Sequence, residues 1–411
     1  MVAIPAYDIA LEVHAAGSAA RPDSGARLSR ALLSFLVLLM AALQLLPFEF
    51  ATPDTLAFSR ELSIGGTLVS AAMFVPYGFL SRRARTGRAG RQLALVILTA
   101  EMLAVALEAA QLFVPAAIAS VWHLAGSIVG AAVGGWACDR LHADDRGSAT
   151  TVNAMLLQLP LMGLAYLLWP LLWSSSAAAH DDPRRLLLTI AAGMAGASLL
   201  GSIARATRAH TPDRPKWLIA TVALAWGSIG LAPSLLLDWR TTAAGIAAIT
   251  ALAAWRGRWT APLFIERRYE VPALLAASPF LAIYFIGVSV WPGNSFRTFP
   301  LVQLGVPTSE AGLALALPLI EMGIAATVLG YVIAEYLGRS VSSLQESCMR
   351  VLYWSGAVLT VTEAARSIFG YEGASLLRAT LSTAAAVYGA WLYHLQRAHM
   401  RVVRDRLAAH R

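Results

Sequence analysis

The sequence predicts an all-α fold, a polytopic transmembrane helical bundle of about twelve spans. Hydrophobic residues make up 57% of the 411 residues and charged residues only 14%, whereas soluble chains carry nearer a quarter charged residues. Runs of about 20 apolar residues, the length that crosses a bilayer as a helix, recur along the chain. They are centred near residues 37, 72, 104, 128, 162, 195, 226, 248, 281, 323, 359 and 384. The weakest are the second, which Pro76 interrupts, and the eighth, which is short and alanine-rich.

Basic residues predict how these spans are oriented. Most of the 32 lysine and arginine residues fall in every second loop and in the terminal segments. Because positively charged loops stay in the cytoplasm, we expect both termini on the cytoplasmic side of a bacterial inner membrane. Residues 1–27 are mixed and polar, with no evident cleavable signal peptide. The run from Leu28 to Leu46 is long enough to remain as an anchor.

A polar helical hairpin at residues 104–135 organises the chain. Its first helix carries Glu108 and Gln111 on one face, and its second carries His123 and Ser127 on one face. A carboxylate in a span this apolar costs about 2.5 to 3.5 kcal/mol on insertion scales. We therefore expect a partner or a function to offset that cost.

The same pattern returns when 255 is added to each residue number. The matches are Glu108 to Glu363, Gln111 to Arg366, Ser120 to Ser375, His123 to Arg378, Ser127 to Ser382 and Gly134 to Gly389. We interpret them as a diverged internal duplication. The alternative is chance, because alanine, leucine and glycine dominate the composition.

The duplication predicts two parallel four-helix modules with a middle four-span block between them. The predicted segments are a cytoplasmic N-terminal tail at 1–27, a first module at 28–138, middle membrane spans at 152–256, a degenerate second module at 271–394, and a basic cytoplasmic tail at 395–411. Stripes of small residues at four-residue spacing, such as Gly126, Gly130, Gly134 and Gly193, Ala197, Gly201, predict close helix packing in lipid.

Each hairpin places its polar cluster near the outer leaflet. In the second module, Glu363 and Arg366 lie three residues apart and we predict that they pair, with Arg378 adjacent. The structural alternative is that such a pair only holds helices together. The ligand-binding candidates are Glu108, Gln111, His123, Ser127, Glu363, Arg366 and Arg378, and the proton-coupling candidates are Glu101 and Glu321. Glu335 adds a carboxylate to the tenth span, and the structural alternative is that it only flanks a helix end.

The soluble-enzyme motifs that we sought are missing. The chain has no phosphate loop with lysine, no HExxH pair and no GxSxG elbow. We therefore expect no catalytic residue of those kinds, no metal and no cofactor. Cys138 and Cys348 both fall at predicted cytoplasmic helix ends, which argues against a disulfide framework. The net charge of +8 resides in short loops and does not indicate nucleic-acid binding.

Residues 70–134 carry a more specific pattern. The string FVPYGF occupies residues 74–79, and Glu108, Gln111, Phe113 and Pro115 follow, with Gly130 and Gly134 at the end. This pattern resembles the VanZ-like family of bacterial membrane proteins, and the C-terminal copy resembles a further degenerate module. The chain departs from the family where Ser70, Ala117, His123 and Ser127 replace an Asn, an Arg, an Asp and an Asn.

The resemblance implies an integral membrane protein of the cell envelope. The type member of the family is associated with low-level resistance to the glycopeptide teicoplanin. Our leading hypothesis is that the protein binds or handles an amphiphile at the outer leaflet, either a lipid-linked envelope precursor or a lipoglycopeptide. The alternatives are a proton-coupled secondary transporter and a membrane enzyme that uses Glu108 and His123 on a lipid-linked glycan. The expected partners are membrane lipids and no nucleic acid.

Overall fold

The computed structural model describes residues 24–46, 48–52, 58–85, 89–115, 119–143, 161–179, 182–208, 217–258, 270–290, 302–303, 313–337, 343–369 and 374–409. Within these ranges the chain forms twelve α-helices, which confirms the predicted all-α polytopic bundle. They are α1 (Ser24–Gln44), α2 (Ile64–Arg83), α3 (Ala89–Gln111), α4 (Val121–Ala143), α5 (Met162–Ala178), α6 (Leu186–Arg208), α7 (Trp217–Gly230), α8 (Trp239–Arg258), α9 (Glu270–Val290), α10 (Leu313–Leu337), α11 (Leu344–Phe369) and α12 (Leu376–Ala409).

Short elements connect the helices. Two 3-10 helices, Pro183–Arg185 and Ala232–Leu236, precede α6 and α8. Two-residue strands β1 (Val302–Gln303) and β2 (Ala374–Ser375) pair in parallel. The boundaries between the predicted modules and the middle block fall at residues 139–150 and 256–270, of which 144–150 and 259–269 lie outside the described residues.

Seven helices are long and apolar enough to cross a membrane, namely α1, α2, α3, α4, α6, α9 and α10. The protein is therefore a multi-pass membrane protein. Pro76 does not break the second span, since α2 continues through it from Ile64 to Arg83. The other five described helices are shorter or less apolar, and four of them, α7, α8, α11 and α12, lie at predicted positions. Membrane crossing by these five helices stays a prediction.

The position predicted for the fifth span was wrong. The apolar run is centred near residue 162, yet α5 begins only at Met162. Leu161 has φ 67, a left-handed conformation that a right-handed helix cannot contain. The helix therefore begins after Leu161 and occupies the C-terminal part of the run.

Helix α5 lies at the centre of the bundle rather than in a peripheral connector. All its residues except Tyr166 and Ala177 are buried. It packs against α6 and α10 most extensively and also touches α1, α7 and α12. The middle block thus supplies the core helix between the two modules.

Contacts between helix termini define two ends of the bundle. At the first, which we call the hairpin end, Gln111 at the end of α3 donates to the carbonyl oxygen of Gln44 at the end of α1. At the second, which we call the terminal end, Ser24 at the start of α1 lies 3.1 Å from His399 near the end of α12.

Exposed aromatic side chains surround both ends. This is the distribution that membrane interfaces favour, because the rings settle at headgroup level. The hairpin end carries Phe48, Phe50, Phe113, Trp122 and Trp239, and the terminal end carries Trp136, Trp217, Trp255 and Tyr336.

Glycines bring the helices of each module into backbone contact. A Cβ on Gly134 of α4 would overlap the carbonyl oxygen of Val75 in α2, and one on Gly389 of α12 would overlap that of Thr327 in α10. The predicted packing role of these stripes is confirmed. The stripe on α6 also packs closely, since a Cβ on Gly201 would lie 2.8 Å from the carbonyl oxygen of Ala253 in α8.

Candidate functional site

The first module closes its hairpin with a buried carboxylate. Glu108, one turn before the end of α3, accepts a hydrogen bond from the backbone N–H of Ser120 at 2.7 Å. Its other oxygen lies 3.0 Å from Nδ1 of His123 on α4. Ser120 in turn forms a parallel bridge with Ser59. Glu108 therefore joins α3, the start of α4 and the extended segment before α2.

The second module makes the same set of contacts. Glu363 on α11 accepts from the backbone N–H of Ser375 at 3.0 Å. It also accepts from Arg378 on α12, with Nε at 2.7 Å and Nη2 at 2.8 Å. Ser375 pairs in parallel with Gln303, as Ser120 pairs with Ser59. The match extends from the sequence to the bonding pattern.

Arg366 has a different contact from the one predicted. We expected it to pair with Glu363, but the structure gives both carboxylate oxygens of Glu363 to Arg378, and Nη2 of Arg366 donates to the carbonyl oxygen of Val288 at 3.3 Å. This contact of Arg366 is equivalent to that of Gln111 in module one, whose amide nitrogen donates to the carbonyl oxygen of Gln44 at 3.1 Å. Both residues thus tie the third helix of a module to its first helix.

Further spacings extend the match between the two modules to their other elements. Adding 244 takes Gln44 to Val288 and Ser59 to Gln303, and adding 252 takes Gly78 to Gly330. Gly78 packs on the backbone of Ala131, and Gly330 packs on the backbone of Ala386, which is Ala131 plus 255. The small changes in spacing between elements are loop insertions, and the contacts within each module are preserved.

The two clusters differ in exposure. The side chain of His123 is 27% exposed, whereas that of Arg378 is 8% exposed, and both carboxylates are buried. Nε2 of His123 faces Gly66 in the first turn of α2, where a Cβ would lie 2.5 Å away. Module one therefore presents a partly exposed imidazole where module two has a sealed ion pair.

The other candidates of module one lie deeper in the bundle. Ser127 donates to Glu101 at 3.2 Å and to the carbonyl oxygen of Leu124 at 2.7 Å. Ser70 of α2 donates to the carbonyl oxygen of His123 at 2.8 Å. Glu101 and Ser127 thus form a second polar contact on the same pair of helices, about two turns from Glu108 along α3 and one turn from His123 along α4.

Glu321 belongs to a separate buried network in the middle of the protein. The side chain is fully buried and accepts from Nη2 of Arg185 at 2.5 Å and from the hydroxyl of Tyr284 at 2.7 Å. Tyr284 also bonds Ser175 of α5, which lies 2.9 Å from the hydroxyl of Thr189 on α6. Thr189 donates to the carbonyl oxygen of Arg185 at 3.3 Å and so closes a ring through α5, α6, α9 and α10.

Sequence reasoning missed most of this ring. It placed Arg185 among the loop arginines and gave no role to Tyr284 or Ser175. A signal was present, because Arg185 directly precedes an apolar span and Glu321 lies within one. A basic residue on one span and an acidic residue on another indicate an ion pair, but the sequence does not say which spans are neighbours. Glu335 is likewise buried, with 6% exposure, rather than a solvated flanking residue.

Metal binding finds no support among the described residues, which contain no group of three or more His, Cys, Asp or Glu side chains suited to hold an ion. No protein-family model matches the chain, and no similar curated protein or solved structure was found. The function must therefore be argued from the geometry alone.

Proposed function

We propose that this multi-pass membrane protein binds the polar headgroup of an amphiphile through module one at the hairpin end. The observation that carries the proposal is the difference between the two equivalent pairs. Both carboxylates are buried, but His123 is 27% exposed while Arg378 is sealed at 8%. If both pairs served only to hold helices together, we would expect their side chains to be equally buried.

The Glu108 pair orients the imidazole for recognition. The contact of Glu108 with Nδ1 fixes the ring of His123, and the other ring nitrogen, Nε2, makes no hydrogen bond among the described residues and is left to meet a ligand. The glycine at position 66 leaves space for the ring beside the start of α2. The imidazole can then accept a hydrogen bond when neutral or donate one when protonated.

Apolar surface near the pair suits the tail of an amphiphile. Phe113 and Trp122 are exposed at the same end, and the indole N–H of Trp122 donates to the carbonyl oxygen of Arg60 at 3.0 Å. A headgroup at His123 would leave its tails beside these rings, in lipid. The candidate ligands are a lipid-linked envelope precursor or a lipoglycopeptide, and a link to teicoplanin-type resistance remains part of this proposal.

Reciprocal substitutions test the proposal. His123→Arg gives module one the pair of module two, and Arg378→His gives module two the pair of module one. We expect a fluorescent lipid-linked precursor or lipoglycopeptide to lose affinity for purified His123→Arg and to keep it for Arg378→His. Equal affinity in wild type and both variants, or no binding to wild type, would sink the proposal.

Thiol labelling in intact cells tests access. With Cys138 and Cys348 removed, a cysteine at position 123 should react with a membrane-impermeant reagent added outside, and one at position 378 should be protected. A cysteine at Thr52 serves as the exposed control. Protection of both positions beside a labelled control would mean that the pairs are sealed contacts only.

An enzyme acting on a lipid-linked glycan is the second candidate, and the 3.0 Å contact of Glu108 with His123 is what favours it. A carboxylate that orients an imidazole is half of a general acid–base site. His123→Gln would then abolish product formation from such a glycan while it left binding within a few-fold. The transporter alternative has less support, because Glu321 is fully buried and both of its carboxylate oxygens already have partners, Arg185 and Tyr284.

A further inference from the structure

Arg83, the last residue of α2, is a half-buried cation without a counter-ion among the described residues. Its Nε is buried and has no hydrogen-bond partner. The neighbouring arginines are both bonded: Arg82 forms an ion pair with Asp139 at 2.6 Å, and Arg85 donates to Thr99 at 3.3 Å. The groups close to the Arg83 charge are the thiol of Cys138 on α4 and the phenol of Tyr166 on α5. A thiol and a phenol carry no charge near neutral pH.

A second basic side chain faces the same point. A Cβ on Gly25 would lie 3.0 Å from Nη2 of Arg83 and 2.7 Å from Cε1 of His399. His399 is 6% exposed, and its Nδ1 lies 3.1 Å from the hydroxyl of Ser24. We call Arg83, His399, Ser24, Gly25 and Tyr166 the terminal-end site. The site lies at the first turn of α1, and the N-terminal end of a helix favours negative charge.

The fold does not require a cation at this place. Adding 252 to Arg83 gives Glu335, so module two has a buried carboxylate at the equivalent position of α10. A partly buried charge left without a partner destabilises the folded state. No carboxylate among the described residues meets the Arg83 guanidinium, so the group is available to an anionic ligand.

We propose that the terminal-end site binds a phosphate group. A guanidinium contacts two oxygens of a phosphate at once, and a nearby imidazole adds a third donor. Basic pockets between membrane helices at headgroup depth take the phosphates of anionic lipids. Trp136, which lies under Arg140 at 5.4 Å on the adjacent α4, places this depth at the membrane interface. The phosphate can come from a lipid headgroup or from free phosphate in the cytoplasm.

Paired substitutions of equal charge test the site. The full-length protein, purified in detergent, is titrated with phosphatidylglycerol and, separately, with phosphatidylcholine and inorganic phosphate. Charge-assisted hydrogen bonds of this kind are worth about 10- to 100-fold in affinity. We expect Arg83→Gln to weaken phosphatidylglycerol binding by this factor, while Arg85→Gln, which removes the same charge from the same loop, stays within about two-fold of wild type.

The outcomes separate the two sources of phosphate. Binding of phosphatidylglycerol but not of inorganic phosphate identifies a lipid headgroup, and equal binding of both identifies free phosphate. If Arg83→Gln and Arg85→Gln lose affinity equally, the effect is general surface charge and the site is refuted. If wild type binds neither anion, the site is also refuted.

A second variant covers the case in which Arg83→Gln does not fold. His399→Gln removes the imidazole but keeps a polar side chain of similar size, and we expect it to weaken binding in the same direction. Unchanged binding in a folded His399→Gln protein, together with unchanged binding in Arg83→Lys, would overturn the proposal. The site lies at the opposite end of the bundle from His123, so its failure leaves the proposed function untouched.

Discussion

Glu108 and Glu363 occupy equivalent positions 255 residues apart. Each accepts a hydrogen bond from the backbone N–H directly before the next helix and contacts a side chain on that helix. In each case the backbone donor is a serine in a parallel bridge. The carboxylate thus satisfies the backbone N–H of the residue directly before the next helix. The side-chain partner is free to differ, and it does, as His123 in one module and Arg378 in the other.

The Glu363 ion pair should be costly to break. Glu363→Gln removes the carboxylate that binds the buried guanidinium of Arg378, and breaking one partner of such a pair costs about 3 to 5 kcal/mol. Thermal unfolding in detergent should show a large drop in midpoint temperature. The control is Glu346→Gln, which breaks the exposed pair of Glu346 with Arg350 and should cost about 1 kcal/mol or less. Equal midpoints for the two variants would contradict this assignment.

The glycines at the helix crossings should not tolerate a side chain. Gly134→Ala and Gly389→Ala each place a methyl group against a backbone carbonyl oxygen, which cannot rotate away. We expect each variant to lose about 1 to 3 kcal/mol of stability. Gly356→Ala is the control, because nothing lies within 4 Å of its Cβ and alanine favours a helix by about 0.5 to 1 kcal/mol. A Gly134→Ala protein as stable as Gly356→Ala would show that α2 and α4 are not in backbone contact.

The ring around Glu321 should behave as one unit. Glu321→Gln leaves Arg185 without its carboxylate, and Tyr284→Phe removes one hydrogen bond to the same carboxylate. Each single variant should be destabilised, Glu321→Gln the more strongly. The double variant should cost less than the sum of the two, because the groups share a partner. Strict additivity in unfolding measurements would argue against a shared network.

Asp238 provides a pH-dependent prediction outside the membrane spans. Hydrogen bonds from the side chain and the backbone N–H of Thr241, and from the backbone N–H of Arg240, hold the pKa of this carboxyl below its usual range. A folded pKa below the unfolded value stabilises the protein above the unfolded pKa, and the gain is lost as pH falls through the folded pKa. Asp238→Ala should therefore unfold earlier than wild type at neutral pH, and the two curves should converge in acid. A difference that does not change with pH would refute this.

Local patterns in the sequence were sufficient for much of the fold. Apolar runs located the helices, and the four-residue spacing of Gly130 and Gly134 predicted close packing, because both signals depend on neighbours along one helix. The shared register of Glu108 and His123 also singled out a pair that the structure brings into contact. These features need no knowledge of which helices lie side by side.

The remaining features depend on tertiary neighbours. Arg185 and Glu321 meet across 136 residues, and no spacing rule connects them. Arg378, not Arg366, is the partner of Glu363, because Arg378 lies on the next helix and reaches the carboxylate with both Nε and Nη2. The three-residue spacing of Glu363 and Arg366 along α11 does not reveal this. The start of α5 depended on the backbone conformation of a single leucine.

Because other helices enclose α5, the physical constraints on its side chains differ from those on a helix that faces lipid. At 17 residues it is about 25 Å long, shorter than the roughly 30 Å hydrocarbon core, and its side chains meet other helices rather than lipid. Hydrophobicity is then not the constraint, which is why Ser174, Ser175 and Ser176 can follow one another in its last turns. Volume and hydrogen bonding to neighbouring helices limit substitution there. Such a helix gains its stable position only when the flanking modules have assembled around it, so mutations in α5 should impair assembly more than insertion.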